Sequence, residues 1–453
     1  MKGFRRLVAG IAAAFCLLNL TGCRVLTGNT ENLLRPPLAD KEQEAIVSAL
    51  ELWLATKGQT LRYVLKYPKT GTAMSAFLRE DVDGDGIKEA VCFYCLDGID
   101  EKTHVNLLRK TDGKWQSVGD AVGQGTEVAW VTFGDLQGDG TRELLTGWNV
   151  YNNSRDRQLI VYSLEGDALT ERYTATYSAI AVGDITDSGR DELLLFSADS
   201  AKRQTTASLI AFEGETVDQL GQTLLDGSIQ QFGETHVCTL TDTVNGVFAD
   251  AYKDNDQAIT ELVCWENGQL LAPFYDAATN QTERTAREAS RRSHIVSSDV
   301  SGDGVPEWPR TRRLTGYADT DLKNTLFLTT WMQWEHTKRT TRSLFDCIVN
   351  DVDGYYLRLD PAWVGGTVAD DKVSARYTAS THTFELVEVV NGAFGKPLLS
   401  LTPLSADTGR AVEETEAFTL TMTDGSRYAV RYTTDPAYAF TEERIRYLLT
   451  TLN

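Results

Sequence analysis

Residues 81–89 read Asp81-Val82-Asp83-Gly84-Asp85-Gly86-Ile87-Lys88-Glu89. Carboxylates at positions 1, 3 and 5 converge if the chain wraps tightly. Gly at position 6 permits the positive φ that such a wrap needs. Position 7 offers a carbonyl, and position 9 closes the loop with a fourth carboxylate. Hard oxygen ligands on a flexible loop suit Ca²⁺ better than Mg²⁺. The pattern recurs three times: Asp135-Leu136-Gln137-Gly138-Asp139-Gly140-Thr141-Arg142-Glu143, Asp184-Ile185-Thr186-Asp187-Ser188-Gly189-Arg190-Asp191-Glu192 and Asp299-Val300-Ser301-Gly302-Asp303-Gly304-Val305-Pro306-Glu307. Short apolar runs precede the second and third loops (128–131, 179–182), and others follow the first three (90–94, 144–148, 193–196). Each of these loops therefore reads as a link between strands.

The spacing sets the architecture. The first Asp recurs after 54, then 49, then 115 residues, the last close to twice the earlier interval. A degenerate unit is expected in that long gap, with strands in Val247–Asp250 and Glu261–Trp265 but without the Gly-Asp-Gly centre. A period of about 50 all-β residues is the size of one four-stranded propeller blade. The expectation is a mainly β fold: a β-propeller of about 5–7 four-stranded blades over residues 58–345. After residue 345 the repeat stops. Strand-like runs continue, and Thr441 opens a final helix with Ile445, Leu448, Leu449 and Leu452 on one face. A small C-terminal α+β domain is expected over residues 346–453. Ahead of the repeats, Ala45, Ile46, Ala49, Leu50, Trp53 and Leu54 recur at helical spacing. They predict a helix within 40–57, capped by Asp40, stopped by Gly58 and packed on the propeller.

An EF-hand loop would need an acidic ligand at position 12 and flanking helices. Position 12 here is Cys92, Thr146, Leu195 or Arg310, and the flanks are strands. The loops instead resemble those of the FG-GAP/VCBS repeat family, the integrin-α type of β-propeller. The likeness runs through four loops over some 250 residues, and Phe133-Gly134-Asp135 and Val182-Gly183-Asp184 resemble that family's entry from strand to loop. The resemblance implies a propeller, structural Ca²⁺ in the blade loops and a role in extracellular recognition. The family's last ligand is usually Asp, whereas this chain has Glu. The ligand sets expected are Asp81, Asp83, Asp85 and Glu89; Asp135, Gln137, Asp139 and Glu143; and Asp299, Ser301, Asp303 and Glu307. Asp184 and Glu192 form a weaker set, because hydroxyls stand at positions 3 and 5.

The N-terminus reads as an address. Lys2, Arg5 and Arg6 precede an apolar stretch, Leu7–Leu20, which ends in Leu20-Thr21-Gly22-Cys23. A basic start, a short apolar run and a small-residue cleavage site make a secretory signal over residues 1–22. The ending resembles the bacterial lipobox, which implies lipidation of Cys23, a tether over 23–39, and anchoring at the extracytoplasmic face of a bacterial cell membrane. The formal net charge is -20, and removing the signal takes away only basic groups. That excess disfavours nucleic acid and favours cations or neutral ligands. Five cysteines besides Cys16 and Cys23 are too few for a disulfide framework. Cys92 and Cys95 lie in a strand-like run and read as structural thiols.

Catalytic motifs such as G-x-S-x-G and H-E-x-x-H are absent, and the five histidines are scattered singly. Ser405-Ala406-Asp407-Thr408-Gly409 only partly matches a sialidase Asp-box. The expectation is therefore a binding protein and not an enzyme, recognising an extracellular protein or glycan. Trp308, Trp331 and Trp334 are candidate stacking residues if exposed. The alternatives are an envelope scaffold or assembly factor, and a lipid-anchored glycan-active hydrolase.

Overall fold

The computed structural model describes residues 41–57, 62–71, 73–97, 102–149, 157–166, 168–254, 257–282, 295–317, 325–404 and 418–452. The signal, Cys23, the tether, Asp40, Gly58 and Ser405–Gly409 lie outside them. The fold is mainly β and propeller-like, built from successive antiparallel sheets of four or five strands.

Sheet I holds Tyr63–Lys66, Phe77–Glu80, Glu89–Leu96, Thr103–Thr111 and Lys114–Val122; its first two strands pair along the same edge of the third. Sheet II is a meander of Glu127–Gly134, Glu143–Asn149, Arg157–Glu165 and Ala168–Tyr177. Sheet III repeats it with Ala179–Gly183, Glu192–Asp199, Gln204–Glu213 and Thr216–Leu225, and sheet IV with Gln231–Thr241, Val244–Tyr252, Ala258–Glu266 and Gln269–Leu271. Sheet V contains Trp308–Arg313, Phe327–Glu335, Thr340–Asn350, Tyr355–Arg358 and the returning Leu449–Thr451. Sheet VI contains Val373–Thr378, Thr383–Val390, Ala393–Pro403, Arg427–Tyr432 and Phe418–Thr421.

Sequence explains the depth of each strand. Glu89–Leu96, Glu143–Asn149 and Glu192–Asp199 are apolar on both faces and mostly buried, because both sides are covered: the first by the helix over Lys41–Thr56 and by sheet II, the others by the sheets before and after them. The last strands of sheets II and III, Ala168–Tyr177 and Thr216–Leu225, are more polar, the first mostly half-buried and the second mostly exposed. Hydrophobic clusters join the sheets in chain order. Phe93 and Leu107 of sheet I meet Val131 and Trp148 of sheet II. Leu145 and Val161 meet Leu193 and Phe212. Leu194 and Leu209 meet Val247 and Val263, and Phe248 and Leu262 meet Trp308 and Met332. Leu328 and Leu357 then meet Leu386 and Leu399 of sheet VI.

Helix α1, Lys41–Thr56, buries Ile46, Ala49, Leu50 and Leu54 against Ala90, Cys92, Tyr94 and Leu108 of sheet I. Each fully buried aliphatic side chain there contributes about 1.5–3 kcal/mol. Helix α2, Glu442–Leu448, is capped by the Thr441 side chain, which accepts from the Arg444 N–H. It is shorter than the apolar pattern suggests, since Leu449 begins the strand that returns to sheet V.

The expected boundary between 345 and 346 falls inside strand Thr340–Asn350, and Tyr355–Arg358 belongs to the same sheet. The loop repeat ends before that sheet does, and pairing with a strand some 90 residues downstream has no local signature. The degenerate unit forms the middle strands of sheet IV. Its first two strands are joined through Asp242 and Thr243, with no acidic loop. Trp308, Trp331 and Trp334 are buried, which removes them as stacking residues. All five described cysteines are free; Cys92, Cys238, Cys264 and Cys347 are buried, and burial raises their thiol pKa values.

Candidate metal loops

The four loops share a backbone. Positions 4 and 6 have positive φ throughout: Gly84 and Gly86, Gly138 and Gly140, Asp187 and Gly189, Gly302 and Gly304. Position 1 holds the wrap. Asp81 accepts from the N–H of Gly84 and of Gly86, both at 2.9 Å. Asp135 does the same with Gly138 at 2.7 Å and Gly140 at 3.0 Å, Asp184 with Ser188 and Gly189 at 2.8 and 2.9 Å, and Asp299 with Gly302 and Gly304 at 2.7 and 2.9 Å. Position 5 accepts from position 7 in three loops: Asp85 from Ile87, Asp139 from Thr141, Asp303 from Val305.

Position 9 is not an open end of the loop. Glu89, Glu143, Glu192 and Glu307 are buried, each at the foot of a strand. Each accepts the N–H of position 2: Val82 at 3.0 Å, Leu136 at 3.0 Å, Ile185 at 2.8 Å and Val300 at 2.9 Å. Burial raises the pKa of Glu89, Glu143 and Glu307, partly opposed by those hydrogen bonds. A signal for this closure was present in the sequence, since position 2 is aliphatic in every loop.

The other oxygen of each Glu faces a different donor. In sheet I, Ala90 is in register with Leu108, so Arg109 lies across from Glu89. Its guanidinium is 3.6 Å from Glu89 Oε1 and 2.8 Å from Asp83 Oδ2. By the same register Ser163 lies across from Glu143 and donates to Oε1 at 3.3 Å. Ala211 lies across from Glu192 and cannot donate; the loop's own Thr186 and Ser188 hydroxyls do so, at 2.6 and 2.8 Å. Gln333 lies across from Glu307, and its Nε2 donates to Glu307 Oε1 at 2.8 Å and Asp303 Oδ2 at 2.5 Å.

Among the described residues, two loops gather three carboxylates with oxygens within 4.8 Å: Asp81, Asp83 and Glu89, and Asp299, Asp303 and Glu307. Asp85 lies outside these groups, while Ser301 bonds Glu307 through its N–H at 3.1 Å and its hydroxyl. The second loop does not gather. Gln137 turns away and donates to the Gly214 carbonyl at 3.2 Å, while the Thr141 hydroxyl and N–H hold the Asp139 carboxyl below its ordinary pKa. The third loop satisfies Glu192 with hydroxyls, and Asp184 and Glu192 are not part of such a three-carboxylate group. The first and fourth groups could bind a metal. The fourth fits better, because the group across the strand from its Glu is a neutral amide and not a guanidinium; the oxygen of that amide accepts from Arg342.

Neighbouring loops are stitched together. Arg142 N–H donates to the Val82 carbonyl at 2.8 Å, and Asp191 N–H to the Asp135 carbonyl at 2.9 Å. Asp191 Oδ2 accepts the Asp135 N–H at 3.0 Å, and Asn245 Nδ2 of sheet IV reaches the Asp184 carbonyl at 2.7 Å. The exposed Asp85, Asp139 and Asp187 therefore stand along one continuous edge.

A second polar cluster was not anticipated. Asp226 and Glu261 are fully buried. Lys253 Nζ is 2.5 Å from Asp226 Oδ2, which also accepts the Thr282 N–H at 3.0 Å. Glu261 Oε1 accepts from the Thr282 hydroxyl and from the Asp226 N–H at 3.1 Å. Among the described residues its other oxygen has no hydrogen-bond partner, and burial pushes the carboxyl up to about 7. Desolvation opposes ionisation of Asp226, but Lys253, Ser228 and Thr282 hold its pKa below the ordinary value.

No protein-family model matches the chain, and no curated protein matches it. Solved structures similar to it include rhamnogalacturonan lyase YesW, at 10% identity and TM-score 0.30, covering 82% of this chain and 91% of that one. A Bacillus licheniformis rhamnogalacturonan lyase is 13% identical at TM-score 0.30, covering 84% and 86%. The Pseudomonas aeruginosa periplasmic gluconolactonase PpgL is 10% identical at TM-score 0.31, covering 75% and 95%. These neighbours are enzymes, so the expectation that the chain is not an enzyme is withdrawn. Likeness at this level assigns no reaction or substrate to the chain.

Proposed function

We propose that this chain is a lipid-anchored binding protein at the extracytoplasmic face of a bacterial cell membrane, presenting an acidic edge to an extracellular protein or glycan. The observation that carries the reading is the stitched row of loops. Three acidic turns, each closed by its own buried Glu, are joined by backbone hydrogen bonds into one edge spanning three sheets. An edge that repeats an exposed Asp in each loop, with Lys88 and Arg142 drawn to Glu80 beside it, suits recognition of cationic groups, or of neutral groups through a bridging cation. Sheets I to V serve as propeller blades, and the lipobox-like Leu20-Thr21-Gly22-Cys23 supplies the anchor.

The Ca²⁺ site belongs to the fourth loop, where Asp299, Asp303 and Glu307 would hold the ion. Bound there, Ca²⁺ would neutralise a buried carboxylate and staple loop to strand. At ten times its Kd, one such ion adds about 1.4 kcal/mol of stability.

The test uses residues 24–453 on arrays of glycans and purified envelope proteins, at low and high salt, with and without Ca²⁺. Binding that weakens with salt and is lost in the Asp85→Asn, Asp139→Asn, Asp187→Asn triple variant, with melting unchanged, is the expected result. Binding indifferent to the triple variant would overturn the acidic-edge reading. Stable co-purification with a single envelope protein would indicate an assembly factor, and turnover of a bound glycan would indicate an enzyme. Metabolic labelling with a lipid analogue, lost in Cys23→Ala, tests the anchor.

A further inference from the structure

The first loop carries the most carboxylates, and by sequence it is the strongest metal candidate. Its surroundings point the other way. We propose that Arg109 is a built-in cation for this loop, holding the place a divalent ion would take, so that the loop closes without metal.

The argument begins with position. The residue across the strand from the closing Glu faces the inner side of the loop, and in the four loops it is Arg109, Ser163, Ala211 or Gln333. The inner oxygen of each closing Glu faces a different group, and only Glu89 faces a permanent charge, an ion-pair contact at 3.6 Å without a hydrogen bond. Arg109 spans Asp83 and Glu89, two of the three carboxylates that would ligate an ion. The third, Asp81, accepts two backbone N–H groups just as Asp299 does in the fourth loop, so the difference between the loops lies with Arg109. A guanidinium stays protonated at any physiological pH and offers no lone pair. An entering Ca²⁺ would meet a like charge at hydrogen-bond range of its own ligands. In the fourth loop the equivalent Gln333 bridges Asp303 and Glu307 with a neutral amide, whose oxygen accepts from Arg342 Nε at 3.0 Å. One substitution across the strand thus separates a self-closed loop from a metal-accepting one. The contrast with the fourth loop rests on reading that loop as the Ca²⁺ site; the claim about Arg109 does not.

The experiment is calorimetric titration of residues 24–453 with Ca²⁺, paired with thermal melts in EDTA and in Ca²⁺. The expected stoichiometry is about one ion for the wild type and about two for Arg109→Gln, at affinities of order 10⁻⁴ to 10⁻³ M. Arg109→Lys keeps the charge and should gain nothing. Asp83→Asn in the wild type should leave Ca²⁺ binding unchanged, which decides the matter even if Arg109→Gln folds poorly. Asp303→Asn and Gln333→Arg should each abolish the wild-type ion. Loss of the wild-type ion in Asp83→Asn would overturn the proposal while leaving the edge intact. So would a folded Arg109→Gln chain that binds no more than wild type. A wild type that binds nothing, with Arg109→Gln gaining a site, would sink the fourth-loop reading and uphold Arg109. No binding in either chain would overturn both.

Discussion

Glu261→Gln should abolish one component of the pH dependence of stability. Glu261 is fully buried beside Asp226, and the pair shares one amine, that of Lys253. Its carboxyl titrates near 7 in the folded chain against an ordinary 4.5. The folded state therefore binds this proton more tightly than the unfolded state. The associated stability is fully present below about 4.5, declines as pH rises, and is gone above about 7. At about 1.4 kcal/mol per pKa unit, the full loss is about 3 kcal/mol, of which about 2–3 falls between pH 5 and 8. Gln keeps the oxygen that accepts from Thr282 and Asp226 and cannot ionise. Urea unfolding of both chains from pH 5 to 8 isolates this group together with its coupling to Asp226, because titrations elsewhere in the chain cancel in the difference. The two chains should be similar near pH 5, and the variant more stable by about 2–3 kcal/mol at pH 8. A difference that stays flat with pH would refute the reasoning, and one that grows towards acid would reverse its sign.

Further outcomes follow from the same contacts. Lys253→Met leaves the buried Asp226 without its cation and should cost about 3–5 kcal/mol at pH 7, less at pH 4 where Asp226 can protonate; urea unfolding at both pH values checks this. Thr186→Val with Ser188→Ala strips the hydroxyls from Glu192 Oε1 and should cost about 1–3 kcal/mol, with no rescue by Ca²⁺ in a melt. Gly84→Ala adds a Cβ 3.0 Å from the Gly140 carbonyl oxygen at a φ of 74°. It should cost about 1–2 kcal/mol and speed hydrogen exchange at Arg142, whose N–H bonds Val82 across the loop junction. Thr441→Ala removes the cap of helix α2 and should cost about 1 kcal/mol by urea unfolding.

The alternation of apolar runs and Asp-Gly turns made the β meanders legible, because strand formation and turn geometry are set by residues close in sequence. Positions 1, 4 and 6 of the loops behaved in the same way: Asp81, Gly84 and Gly86 make their hydrogen bonds to one another within six residues. The helix caught by its periodicity, Lys41–Thr56, was legible for the same reason. Sheet V was not. Its last strand, Leu449–Thr451, joins Tyr355–Arg358 from far along the chain, and the pattern that called Leu449 helical was only a local one.

The loops mark where the two levels part. By itself the sequence determined that acidic turns recur every fifty residues or so and that each ends in Glu, since both are properties of one stretch of chain. Only the tertiary structure decided what those carboxylates face. Arg109, Ser163 and Gln333 reach the closing Glu across a strand pairing 20 to 26 residues away, and Thr186 and Ser188 serve where that partner is Ala211. Counting carboxylates ranked the first loop highest for metal, whereas the charge already lying across the strand sets its affinity, because ion binding depends on the whole local field and not on the ligands alone.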